Sequence, residues 1–245
     1  MARIFTRNLT AYSELQFSKT TISYRFLAKL TMNSLPSIFR RTLWNLARYI
    51  SLRPSGSLSS DPMNEFRSWY ASASKSPFIA FPEAFCLATF NGEESESRFM
   101  MMEAFCEDGF VFCTDARSTK AKTLSRHPKA SMTFYWGGLA KLVRISCAVE
   151  LLAEDELSSI FARQSRTAQL VSSFSSPTTR MSSEEFQGEM TAAKTRYKGL
   201  NVPRPTTWVA YILKPQLVIF STFSPDLYHE ERRYIKDDSG SWRIA

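Results

Sequence analysis

Histidine is almost missing from this chain: His127 and His229 are the only two in 245 residues. Cysteine is sparse as well. Cys86, Cys106, Cys113 and Cys147 have no CxxC spacing and no histidine close by, so the donor pattern of a zinc site is missing. Cys86, Cys113 and Cys147 sit inside apolar runs, which reads as buried free thiols in a reducing compartment. No run of 18 apolar residues occurs, so nothing in the sequence reads as a membrane-spanning helix. Internal repeats and a second domain boundary are also missing.

Acidic residues are nearly lacking from the first 60 positions, where nine Lys/Arg face the single acid Glu14 among ten serines. That stretch carries the whole net charge of +8, and residues 61–245 balance 22 basic against 22 acidic side chains. A neutral folded part argues against non-specific nucleic-acid binding. Basic, serine-rich and acid-poor, residues 1–60 have the composition of a mitochondrial transit peptide, with a cytoplasmic location as the alternative. Phe39, Leu43, Leu46, Ala47 and Ile50 fall on one face of a basic amphipathic helix there. A disordered arm with no address, or a helix for a membrane surface or partner, stays open.

From residue 61 the chain reads as one domain, mainly β with added helices. Asp61-Pro62 opens a helix whose Met63, Phe66, Trp69 and Tyr70 share an apolar face. Phe85–Phe90 is a strand and Asn91-Gly92 a hairpin turn. Thr119–His127 is a short basic helix, Ala130–Phe134 a strand, and Lys141–Glu150 a long strand with Leu142 and Arg144 on one face and Val143 and Ile145 on the other. Ala153–Arg166 reads as a helix, Ser172–Thr179 as a loop, and Ser182 to Glu185 as a capping box opening a helix that ends near Gly199. Two strands, Thr207–Leu213 and Gln216–Phe223, are expected to join through Pro215. Short strands with helices between them suggest a small, nearly closed barrel.

The stretch Ser97–Asp115 organises the rest. It reads as a strand, a polar turn at Glu107-Asp108-Gly109 and a second strand, followed by a helix start bearing Lys120 and Lys122. Arg98, Thr114, Lys120 and Lys122 offer cations and a hydroxyl near one rim, as a bound phosphate requires. Basic residues at strand ends are more often simply solvated. Arg144, inside a strand, needs either an anion or a structural salt bridge. Met100 to Met102 is equally compatible with plain core packing.

The run Arg98–Lys122, then His127–Ser131, Phe134–Trp136, Leu142–Arg144 and Trp208–Gln216, resembles the pyridoxamine 5'-phosphate oxidase family in order and nearly in spacing. The resemblance implies a six-stranded FMN-binding split β-barrel, a homodimer with flavin mononucleotide (FMN) held between its subunits, and a small-molecule substrate. It implies that Arg98, Phe99, Met100 and Met101 line the flavin ring and phosphate, that Cys113 and Thr114 follow, and that Lys120 holds the phosphate. Arg144 falls on a family arginine near the flavin. The four groups Arg98, Thr114, Lys120 and Arg144 are therefore expected to converge.

Several positions depart from the family pattern. Thr119 stands where the family has an arginine, Leu142 where it has a glutamine, Pro177-Thr178 where it has Gln-Ser, and Ser221 where it has a tryptophan. Losing one charged hydrogen bond weakens binding tenfold to hundredfold, about 1.5–3 kcal/mol. The family residues that grip the substrate phosphate, a lysine, tyrosine, arginine and serine, correspond to Glu103, Ile160, Gln164 and Ala168. Asp226-Leu227-Tyr228 replaces the Arg-Leu-His over the substrate ring, with His229 one place late; Arg163 and Arg166 flank the lost helical arginine. The implied reaction is oxidation of pyridoxamine or pyridoxine 5'-phosphate to pyridoxal 5'-phosphate, by hydride transfer to flavin N5 and reoxidation by oxygen. The alternatives are a catalytically degenerate paralogue that binds FMN or pyridoxal phosphate without turnover, and a flavin enzyme acting on another small molecule.

Overall fold

The computed structural model describes residues 59–177, 180–223 and 229–245. The amphipathic helix expected in the leader, Thr178, Asp226 and Tyr228 lie outside the described residues. Helix α1 (Pro62–Lys75) starts where Asp61 accepts a hydrogen bond from the Met63 N–H, with proline at the first helical position. Strands β1 (Ala84–Phe90) and β2 (Ser95–Met101) form the hairpin expected at Asn91-Gly92, where Gly92 adopts φ 105°. Then come β3 (Ala104–Phe105), β4 (Phe110–Asp115), α2 (Thr119–Arg126), β5 (Lys129–Trp136) and β6 (Lys141–Leu151). Helices α3 (Glu154–Arg163), α4 (Arg166–Phe174) and α5 (Ser183–Arg196) precede β7 (Trp208–Phe223), β8 (His229–Lys236) and β9 (Trp242–Ile244).

The strands form one antiparallel sheet in the order β2-β1-β5-β6-β7-β4-β3, with β8 and β9 added beside β7. Six of them curl around one core: Phe85, Leu87, Phe110, Phe112, Met132, Phe134, Val143, Ile145, Leu213 and Phe220 are buried together, with Met100 packed against them. Phe66 of α1 fills this core, its ring 4.7 Å from Phe110 and 5.0 Å from Phe134. Burying one such ring contributes about 1.5–3 kcal/mol. A second core lies outside the sheet, where Val111, Ala210 and Ile212 pack against Leu157, Ile160, Phe161 and Leu170 of the helices. The alternation along β4 divides the two: Phe110 and Phe112 face the first core, Val111 the second.

Three expectations need correction. The hairpin expected over Ser97–Asp115 does not form from two long strands, because β2 pairs with β1 while only Ala104-Phe105 pairs with β4. The chain thus leaves one edge of the sheet at Met101 and enters the other at Ala104. Met102 N–H still bonds Glu83 C=O on one side and Glu103 N–H bonds Val111 C=O on the other, so two residues carry the ladder across. The two strands expected around Pro215 are one strand, β7. One of its edges pairs with β6 throughout, and its other edge passes from β4 to β8. Pro215 sits in that gap, opposite Cys147 and beside a register shift at Ser146/Cys147, the kind of irregularity at which a sheet tolerates proline. The helix expected over Ala153–Arg166 breaks at Gln164, and α4 occupies part of the expected Ser172–Thr179 loop. The capping box at Ser182 and Glu185 forms as expected.

Candidate functional site

At one mouth of the barrel, strand alternation and a helix start bring polar groups together. Arg98 pairs in register with buried Leu87, and its row continues through Met132, Ile145, Val218 and Tyr234. It therefore points inward, where Nη1 donates to the buried Thr89 hydroxyl at 2.7 Å. Its Nη2 meets Glu96 at 2.7 Å. From the end of β4, Thr114 lies on the same inner side as Phe112. Lys120 Nζ is 3.3 Å from the Thr114 hydroxyl, and the Ser118 hydroxyl is 3.4 Å from it. Ser118 also caps α2, accepting from the Ala121 N–H.

Burial, and then the positive field of Arg98, push the Lys120 ammonium below its ordinary range. Lys120, bonded to the Thr114 hydroxyl, and Arg98, close enough for its field to act on Lys120, thus place two positive charges near the start of α2, an arrangement that an arriving phosphate stabilises. Thr119 is exposed at the first helical position. Arg117, two residues earlier, is held by Asp115 through two side-chain hydrogen bonds of 2.9 and 2.6 Å, so it does not supply the missing cation. Arg117 is also the main reason the Asp115 carboxyl sits below its usual range.

Arg144 does not join this group within the chain. Its register partners are Thr133 and Ile219, one residue out of step with the row of Arg98, so it projects from the opposite face. There it pairs with Glu231, which also meets Arg233 at 3.0 Å and His229 at 3.5 Å. His229 stacks on Phe223 at 4.9 Å. Phe99 and Met101 also face outward and are exposed, whereas Met100 turns to the core and Met102 is buried. Leu142 lies on the outer face in register with Ser221, which is buried.

On the helical side of β4, Glu103 and Gln164 meet: Gln164 Nε2 donates to Glu103 Oε2 at 2.9 Å. The helix break produces this contact. Gln164 takes an extended backbone after α3, and Ser165 caps α4 by accepting from the Ala168 N–H. Ile160, one turn earlier, is a buried member of the second core rather than a polar contact, and Ala168 lies on α4. Gln164 Oε1 is shielded from solvent without a hydrogen-bond partner. Burial raises the Glu103 carboxyl above its ordinary value; the Gln164 bond and nearby Arg163 offset part of this. Cys113 neighbours it, its thiol pushed well up by burial and then by Glu103. Sequence reading missed Ser118 and the Glu103–Gln164 contact, although Ser118 carried a signal as a serine three residues before Ala121 at a helix start.

A family model described as pyridoxamine 5'-phosphate oxidase matches residues 75–199. The chain belongs to that family. A pyridoxine/pyridoxamine 5'-phosphate oxidase from Bombyx mori is 31% identical over 187 residues, 75% of this chain and 73% of the relative. One of the same name from Salinibacter ruber is 31% identical, covering 76% of this chain and 88% of the relative. Among solved structures, PhzG from Burkholderia lata in complex with tetrahydrophenazine-1-carboxylic acid aligns with TM-score 0.71 and 26% identity over 79% of this chain and 96% of PhzG. The split-barrel fold of this oxidase family is thus the fold of the described chain, mainly β with added helices. None of the described helices is long and apolar enough to cross a membrane, and no cluster of metal-ligating side chains occurs among the described residues.

Proposed function

We propose that the chain is an FMN-dependent oxidoreductase acting on a small aromatic amine or alcohol. The observation that carries this is the meeting of Arg98, Thr114, Ser118 and Lys120 at the barrel mouth. The donor set offers a phosphate monoester two cations and two hydroxyls: Lys120 has no carboxylate partner, Arg98 would have to share its guanidinium with Glu96, and Arg117 is held away by Asp115. In this reading Arg98 and Lys120 neutralise the nucleotide's phosphate, and Thr114 and Ser118 orient it. When bound, the flavin ring supplies a hydride acceptor. Thr119 leaves the phosphate one cation short of the family's set, so retention weaker than in relatives is expected. Phe99, Met101 and Tyr135, exposed on the outer face, suit a homodimer in which that face is covered. A second copy would then bring Arg144 to a site it cannot reach within one chain.

The relatives' names favour pyridoxamine or pyridoxine 5'-phosphate as the substrate, with pyridoxal 5'-phosphate as product. Glu103 and Gln164 favour a second reading, in which the chain binds FMN or pyridoxal phosphate without turnover, or takes another substrate. To test this, purified full-length protein is supplied with FMN, its absorption spectrum recorded, and pyridoxamine 5'-phosphate added without oxygen. A flavin band that bleaches supports the oxidase. A band that persists supports the second reading, and protein that stays colourless after FMN is supplied overturns the flavin reading altogether.

A further inference from the structure

A pocket of about 460 Å³ opens on the outer face of the sheet across β1, β5 and β6, within the roughly 300–1,000 Å³ usual for small-ligand sites. Its floor is low because its residues are small: Ala88, Ser131 and Ser146 stand opposite one another in one cross-strand row, and Ala148 follows two residues along β6. Leu87, Met132 and Ile145, one position out of step, fill the first core, so that row faces outward. Phe90, Lys129 and Gln216 stand round the floor as walls. The register shift at Ser146/Cys147 falls inside this lining, and such a bulge bends its strand and hollows the face.

The groups round the hollow are unengaged. Lys129 has Ala148 across the ladder, no lining residue is acidic, and no ion pair among the described residues involves it. The Ser131 and Ser146 hydroxyls and the Gln216 amide likewise make no side-chain hydrogen bond among the described residues. Phe90 is exposed. We propose that this pocket binds a small planar aromatic monoanion, its ring laid on the floor beside Phe90 and its charge at Lys129. A flat ring covers Phe90 and the alanine methyl groups together, which favours an aromatic over an aliphatic ligand. One cation answers one negative charge, with the hydroxyls and the amide left to orient it. The pocket and the phosphate site lie on opposite sides of β1, where Thr89 turns its hydroxyl inward to Arg98 while Ala88 and Phe90 face outward. The inference therefore stands independently of the flavin reading. Phe99 and Tyr135 belong to other rows, opposite Cys86 and Leu142, so that exposed pair is not part of the hollow.

The test is a calorimetric titration of the full-length protein, with and without FMN, using 2-naphthoate, its neutral amide 2-naphthamide, and cyclohexanecarboxylate. The naphthoate is expected to bind about fivefold tighter than either comparator, each of which lacks one of the two contributions. Lys129→Gln should remove the advantage over the amide. Ser131→Leu or, from the neighbouring strand, Ser146→Leu fills the floor from an exposed position and should abolish binding of all three while leaving Tm unchanged. Equal affinity for the three probes, binding of none, full naphthoate affinity in both folded leucine variants, or displacement of naphthoate by FMN overturns the proposal. Sedimentation of the same samples gives the remaining decision: a Ser131→Leu chain that passes from dimer to monomer assigns this face to a second copy and overturns it as well.

Discussion

Lys120 is the residue whose removal isolates the phosphate site. Its ammonium reaches Thr114 without a carboxylate in direct contact, so Lys120→Ala should leave the barrel folded. We expect FMN affinity to fall tenfold to hundredfold, about 1.5–3 kcal/mol, in a flavin-fluorescence titration. Glu103 gives a pH signature. Its raised carboxyl means that above 4.5, and up to its raised value, the folded chain binds more protons than the unfolded chain. Its contribution is full below 4.5 and is lost as pH rises through the folded value. Urea midpoints measured across that window should therefore decline in the unaltered chain and decline less in Glu103→Gln. Asp115, held low by Arg117, has the opposite sign but titrates below 3.8, outside the window. The sequence named Glu103 and Gln164 separately, yet their contact depends on a backbone break that residue type alone did not disclose.

At the scale of elements, Gly109 is the most constrained turn position. It adopts φ 153°, and an added Cβ would lie 2.1 Å from the Leu213 carbonyl oxygen. Gly109→Ala must displace β7 from β4, and we expect a loss of about 2 kcal/mol or more, a fall in Tm of roughly 4–8 °C by calorimetry. The turn itself was legible, as were α1, β6 and the Ser182 capping box, because each is fixed by local chemistry. What was not legible came from long-range pairing. Pro215 reads locally as a strand breaker, and only the handover from β4 to β8 along β7 makes it harmless. Likewise Ser165 reads as an interior serine within a helical pattern, until α4 is seen to need a cap.

At the scale of the whole molecule, the outer face of β2, β1 and β5 carries the two most exposed aromatic side chains among the described residues, Phe99 at 80% and Tyr135 at 70%. If that face is covered by a second copy, Phe99→Glu combined with Tyr135→Arg should yield monomers by analytical ultracentrifugation, with weaker flavin retention. An unaltered chain that sediments as a monomer removes the role proposed for Arg144. The ordered resemblance carried the barrel and the family correctly, while the one-residue offset that sends Arg144 and Arg98 to opposite faces within one chain is visible only in the strand register.

Met102 and Glu103 act as a stitch between the sheet's two free borders. A carboxylate placed in a stitch shares its fortunes: any breathing that parts β2 from β3 also carries Glu103 away from Gln164. Slow amide exchange at Met102 and Glu103, quickened at both together when either bond to Glu83 or Val111 is weakened, would mark the closing of the two borders as a single event.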